Sequence, residues 1–297
     1  MSVLQTYGTT AGNREDILDL IQQVSPEETP VFSRLGDSSA EATVHQWVEE
    51  TLSTGSGNAD VEGATATGDT ASAKARKLNY TQIVSKTGAV SGTQRRVSNV
   101  GSEEEYAHEM RKKMKEWKLA AESDLILQAS AAGNSTTARK MNGLIASITT
   151  NRVTGSATTI ALTETVFNNL LEMIWDGGAK VNVCFVHGFN KRRISQFATS
   201  NTRQLEMRNS YTLANRISVY ESDFGTVEIM LSRYQPKTVG IMIDDSKFRK
   251  AWLRKPTQFG LAKRGDLDEF EIVGEFTLEH LNERAGGILS AFASATS

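Results

Sequence analysis

The chain is poor in cysteine: Cys184 is the only one in 297 residues. That excludes a disulfide framework and a multi-cysteine zinc site, and makes a reducing cytoplasm the natural place of synthesis. It also lacks a long apolar run, so no segment approaches the roughly 20 residues of a membrane span. The first residues, Met1-Ser-Val-Leu-Gln-Thr-Tyr-Gly8, hold neither a basic n-region nor an apolar core, and no secretory signal is expected. An excess of one charge is missing as well. Lys plus Arg number 33 against 35 Asp plus Glu, a net −2, which gives no bulk attraction to nucleic acid or membrane. With 39% hydrophobic and 23% charged residues, the composition is that of a globular protein, expected to stay soluble until it assembles. The length suits about two domains or one elaborated domain.

Chemistry is scarce too. The histidines His45, His108, His187 and His280 are far apart, with no H-x-H or H-x-x-x-H spacing, so no metal site is expected. Neither a Walker A sequence nor a G-x-S-x-G elbow occurs, and Gly55-Ser-Gly57 has no third glycine and no helix after it to seat a pyrophosphate. Asp223-Phe-Gly225 matches one kinase motif, but the other kinase motifs are missing, and between two alternating strands it reads as a tight turn. Cys184, in an apolar strand, reads as a packing residue. Lys247 to Lys255 carries Phe248 and Trp252, a pattern shared by nucleic-acid patches and by a core strand with a basic rim. No catalytic residue, cofactor or enzymatic activity is expected.

What is present is architecture. Between Glu49 and Asn79, 31 residues hold three large aliphatic side chains, Leu52, Val61 and Leu78. Such a stretch cannot bury enough apolar surface to offset its ordering entropy. Alternating β-like sequence flanks it, Ala42 to Glu49 before and Asn79 to Val84 after. The pattern predicts a long two-stranded arm with a polar tip. Because an isolated hairpin is marginal in water, the arm should lie on another body, a second copy of the chain being the obvious one.

Residues 1 to about 40 read as an arm with a short helix from Arg14 to Val24, stopped by Ser25-Pro26, and a turn carrying Val31, Phe32 and Leu35. Ser102 with Glu105 forms a capping box. After it Tyr106, Met110, Met114, Trp117, Ala121 and Leu125 predict an amphipathic helix of roughly 28 residues, about 40 Å long, ending near Gly133. From about 150 the pattern is mixed: a helix from Thr163 to Trp175, a strand Val181 to Val186, a basic helix Phe189 to Phe197, a hairpin 216–231 and a strand 239–243. Phe270, Ile272, Phe276 and Leu278 alternate with Glu269, Glu271, Glu275 and Glu279, a half-buried strand with an acidic outer face. Charge is segregated: residues 232–265 hold nine basic groups against two acids, and 266–284 hold seven acids against Arg284. That distribution suits contacts between copies.

Several short runs carry a resemblance. They are Asn13-Arg-Glu-Asp16, Ser25-Pro-Glu-Glu-Thr-Pro-Val-Phe-Ser-Arg34, His45-Gln-Trp47, Asn79-Tyr-Thr-Gln-Ile83 and Val90-Ser-Gly-Thr-Gln94. Near the far end stand Tyr220-Glu-Ser-Asp-Phe-Gly225, Val273-Gly-Glu-Phe-Thr-Leu-Glu279 and Asn282-Glu283. In their order and spacing, from residue 13 to 283, the chain resembles the major capsid proteins of tailed bacteriophages with the Hong Kong 97-type fold, and within them the SU-ten-type family.

The resemblance implies an α+β fold with five parts. These are an N-terminal arm (1–40), an extended loop overlapping the next subunit (41–97), a peripheral domain with a spine helix (98–150), an α/β axial domain (151–265), and a return strand with the C-terminal segment (266–297). It implies a homo-oligomer, hexamers and pentamers of an icosahedral head made in the host bacterial cytoplasm and enclosing double-stranded DNA held non-specifically. A portal and possibly a decoration protein come with it, and no membrane. The arm motif starts at residue 13, which points to a separate scaffolding protein. An encapsulin-like shell around cargo proteins is the alternative. In the overlap geometry the loop acids Glu49, Glu50, Asp60, Glu62 and Asp69 are expected to meet Lys112, Lys113 and Lys115 of a neighbouring copy.

Overall fold

The computed structural model describes residues 27–52, 59, 61–65, 72–97, 104–155, 162–200 (backbone only for 198–200) and 219–290. The expected helix at Arg14 to Val24 lies outside them, as do Ser102, Asp60 and Asp69.

Pro30–Arg34 forms a short helix, α1, with proline in its first turn, where no N–H is needed. Strand β1 (Gly36–Ser39) runs parallel to β10 (Phe248–Gly260), which pairs antiparallel with β11 (Leu267–His280). On the other edge of β11 lies β4 (Gln82–Ser91), giving a four-stranded sheet in the order β1-β10-β11-β4. The antiparallel pair β2 (Val44–Glu49) and β3 (Ala75–Tyr80) stands apart as a two-stranded ribbon. Strands β4 and β10, which the sequence reading assigns to the extended loop and the axial domain, therefore both pair with the return strand.

Helix α2 (Glu105–Leu127) covers the four-stranded sheet with the expected face: Trp117, Ala121 and Leu125 are fully buried, and Tyr106, Met110 and Met114 pack at the margin. Gly274 in β11 is where the indole of Trp117 presses on the sheet, and that indole donates to Val84 O at 2.7 Å. The helix is shorter than expected at both ends. Glu104 occupies the N-cap, its carboxylate 3.6 Å from Arg95, and its side chain makes no capping hydrogen bond. At the other end Gln128 turns extended and its carbonyl accepts from Gly143 N–H, which folds residues 128–143 back beside the last turn. The 23 residues span about 35 Å.

The second sheet has six strands, in the order β5 (Arg152–Thr154), β12 (Gly286–Ser290), β9 (Gly240–Ile243), β6 (Val183–Val186), β8 (Gly225–Leu231), β7 (Val219–Ser222). Helix α3 is the single turn Leu144–Ser147. Helix α4 (Glu164–Asp176) carries the predicted stripe Phe167, Leu170, Leu171 and Ile174, capped by the Thr163 hydroxyl; α5 (Gly188–Ser200) follows β6. Residues Asp223-Phe224 are the hairpin turn between β7 and β8, and Gly225 takes a φ of 133° that favours glycine. Cys184 is buried in β6, where burial pushes its thiol up to about 12. The basic segment of β10 resolves into core and rim: Phe248, Ala251 and Trp252 point inward and Arg249, Arg254 and Lys255 outward.

Two buried side chains break the sequence pattern. Glu275, expected on an acidic outer face, is 4% exposed and is clasped by Arg139 at 2.7 Å, Arg254 at 3.1 Å and the Thr81 hydroxyl. Glu122, on the apolar side of α2, accepts from the amides of Val31 and Phe32 at 3.1 and 2.6 Å and from the Ser232 hydroxyl. It thus supplies from another helix the acceptor that the first turn of α1 needs.

Candidate functional site: the two-stranded arm and its root

The ribbon β2–β3 leaves its outward face unpaired. Registers Val44↔Tyr80, Gln46↔Leu78 and Val48↔Arg76 put Val48 and Leu78 diagonally on that face, 61% and 49% exposed. Beyond the strands, Leu52 and Val61 are 95% and 83% exposed. All three large aliphatics of the 49–79 stretch thus face solvent in the single chain. The two-stranded arm expected from the sequence has a face that is exposed among the described residues, the property of a contact surface.

The inward face forms a root of buried polar groups. Asn79 donates to Leu278 O at 2.7 Å and to Asn142 O at 3.1 Å, and accepts from Asn142 N–H. Thr81, between β3 and β4, gives its N–H to Thr43 O and its hydroxyl to Glu275, and its carbonyl accepts from Arg139 Nε at 3.3 Å. Gln82 bridges Asp124 of α2 and Met141 N–H. Trp47 sits edge-on to His280, ring centroids 4.8 Å apart, with His45 on its other side at 5.7 Å. Buried amide and hydroxyl groups satisfied this completely fix the direction in which the ribbon leaves the body.

Of the eight expected contact residues, Glu49 lies at the root, 3.8 Å from both Lys77 and His280 and accepting from the Trp47 indole at 3.4 Å. Glu50 and Glu62 are exposed. The three lysines of α2 have partners within the chain: Lys112 with Glu109 at 3.3 Å, Lys113 with Glu116 at 2.9 Å and Glu109 at 3.6 Å, and Lys115 with Glu27 at 2.8 Å. Among the described residues, Glu49, Glu50 and Glu62 make no ion pair with these lysines within one copy; Asp60 and Asp69 lie outside the described residues. The root residues Asn79, Thr81, Gln82, Glu275 and His280 were not singled out as a group by sequence reasoning. Of these, only His280 carries a sequence signal, a polar residue in phase with the inward Phe276 and Leu278; alternation assigns Glu275 outward.

Among the described residues no three His, Cys, Asp or Glu side chains are grouped to hold a metal ion, and no helix is long and apolar enough to cross a membrane. The site offers shape and complementary surface.

Solved structures define the class. The capsid asymmetric unit of cyanophage A-1(L) superposes with a TM-score of 0.71 at 12% identity, covering 97% of this chain and 99% of that one. The holo-SrpI encapsulin complex of Synechococcus elongatus PCC 7942 superposes with a TM-score of 0.64 at 11% identity, covering 100% and 98%. The fold is the Hong Kong 97-type capsid fold. Sequence narrows it: residues 4–293 match the family described as SU10 major capsid protein, and the chain belongs to that family. The major capsid protein of Escherichia phage Phieco32 is 23% identical to it over 94% of each chain. The function is therefore that of a tailed-phage major capsid protein, a homo-oligomeric structural component of the virion.

Proposed function

We propose that the chain assembles as hexamers and pentamers into an icosahedral head around double-stranded DNA, and that the β2–β3 arm is the element by which each copy holds the next. The observation that carries this reading is the outward face of the arm, with Val48, Leu52, Val61 and Leu78 all exposed. Subunits would be made in the bacterial cytoplasm and meet a separate scaffolding protein, a portal and possibly a decoration protein. DNA would be held without sequence preference, since a net charge of −2 provides no bulk attraction for it.

The division of labour proposed for the chain is the arm at 1–40, the overlapping loop at 41–97, the peripheral domain at 98–150, the axial domain at 151–265, and the return strand with the C-terminal segment at 266–297. Strands β4 and β10 contribute to the peripheral sheet from across those boundaries, and β12 returns to the axial sheet. In the assembled shell Glu50, Asp60, Glu62 and Asp69, with Glu49 nearer the root, would lie within reach of Lys112, Lys113 and Lys115 of a neighbour. Opposite charge and the exposure of Glu50 and Glu62 support that pairing. It would have to compete with the pairs those lysines make with Glu109, Glu116 and Glu27.

Electron microscopy of the chain expressed with and without its scaffold, together with nucleic-acid and protein analysis of the purified particles, tests the reading. Closed shells that package DNA in the presence of portal and packaging motor support it. Shells that retain a specific enzyme and exclude the genome would move the assignment to the encapsulin-like alternative.

A further inference from the structure

The arm root contains an ionisable group whose charge state its surroundings decide. The ring of His280, at the end of β11, lies against Trp47 of β2 and Phe248 of β10. Its Nδ1 is buried and makes no hydrogen bond. The carboxylate closest to it, Glu49 Oε1, is 3.8 Å away and is already engaged by the Trp47 indole, while Lys77 approaches the other oxygen of Glu49. The charged groups around the ring are thus Glu49 from β2, Lys77 from β3 and Glu283 from the turn after β11. On the far side of Trp47, His45 Nε2 is likewise buried without a hydrogen bond, 3.7 Å from Glu279 Oε1. Glu279 also accepts from the Ser38 hydroxyl at 2.6 Å and lies across from Arg249 in the β10–β11 register.

We propose that His280 makes the arm root a proton-responsive hinge: neutral, it seats Trp47 and strand β2 on the body; protonated, it weakens that seat and frees the arm to swing. A proton on Nδ1 would place a charge in a buried position with no acceptor at hydrogen-bond distance, whereas with the arm lifted the same charge is hydrated. Burial lowers the ring's affinity for the proton, and Lys77 adds to the effect. Glu49, Glu283 and the residue's own backbone oppose it without reversing it. The sign follows. Because the seated form binds the proton less well than a free imidazole, seating is favoured above the ordinary histidine range and lost as pH falls below it. One such proton shifts the seating equilibrium at pH 5.5 by at most about tenfold, a ceiling set by the ordinary histidine value of 6.5.

Hydrogen–deuterium exchange on the unassembled full chain tests this independently of the shell reading, with rates corrected for intrinsic pH dependence. Peptides covering 44–49 and 75–80 are compared between pH 7.5 and 5.5 with peptides from β6 and β9. The wild type should lose protection in the arm strands, up to about tenfold, with β6 and β9 unchanged, and His280→Gln should abolish the difference. Should His280→Gln fail to fold, Glu49→Gln decides. Removing the carboxylate that offsets the buried charge should steepen the loss of arm protection on acidification. Arm protection that is flat in the wild type, a pH step that survives in His280→Gln, or a shallower step in Glu49→Gln would each overturn the proposal.

Discussion

Glu122 shows how much one side chain can organise. Its two oxygens take the amides of Val31 and Phe32, and Lys250, 5% exposed, reaches Phe32 O from the opposite side and lies over the Phe32 ring at 4.4 Å. The short helix α1 is therefore clamped between a buried acid and a buried base. Burial pushes the Glu122 carboxyl above the usual range; its hydrogen bonds from Phe32, Val31 and Ser232 and the charge of Lys250 only partly offset that. A carboxyl raised in the folded state favours folding below its unfolded value, and that contribution is lost as pH rises through the raised value. In Glu122→Gln this dependence should vanish, so its stability relative to wild type should rise between pH 5 and pH 8 in urea titrations. Glu122→Ala leaves buried donors without an acceptor and should cost about 1–3 kcal/mol in the same assay.

Elements carry the next set of expectations. Helix α2 is held to the sheet by Trp117, whose indole sits where a Cβ on Gly274 would stand 2.5 Å from it. Gly274→Val should therefore lower stability by about 1–3 kcal/mol or more, read by thermal unfolding, because neither the indole nor Pro256 behind it has room to move. The arm behaves oppositely. Its tip contributes exposed side chains and its root the buried network, so removing Ser53 to Ser72 should leave the melting temperature within a few degrees of wild type while blocking shell formation. Light scattering and circular dichroism on the same sample separate the two effects.

At the level of the whole molecule, two sheets share one large apolar cluster running from α1 through α2 to β9 and β12, with a second beneath α4. The described residues thus form two packed apolar clusters and an arm with an exposed face, and under the proposed reading assembly would draw on many modest surface contacts. Reversing Lys112 and Lys113 to Glu tests one of them. The double variant also places like charges beside Glu109 and Glu116, costing a few tenths of a kcal/mol per pair in the monomer. A fold retained within that margin together with loss of shells supports the inter-subunit pairing. Shells formed at wild-type yield would remove it.

Much of this is legible in the amino-acid sequence. Apolar spacing located α2, α4, β6, β9 and β11, since the inward positions of a helix or strand recur with its own period. The dearth of large aliphatics between Glu49 and Asn79 marked the arm, because such a segment cannot offset its own ordering entropy by burial. Alternation could not reveal that Glu275 turns inward: its two arginine partners are contributed by β10 and by the loop after α2, one of them 136 residues away in sequence. Nor could it show that Glu122, on an apolar face, is the acceptor for a helix 90 residues earlier. The sequence by itself determined the elements, the family and the existence of an unpartnered arm, all of which depend on local period and composition. Only the tertiary structure decided which polar groups are buried and how the arm is rooted, since a buried charge is tolerable only where distant segments converge to satisfy it.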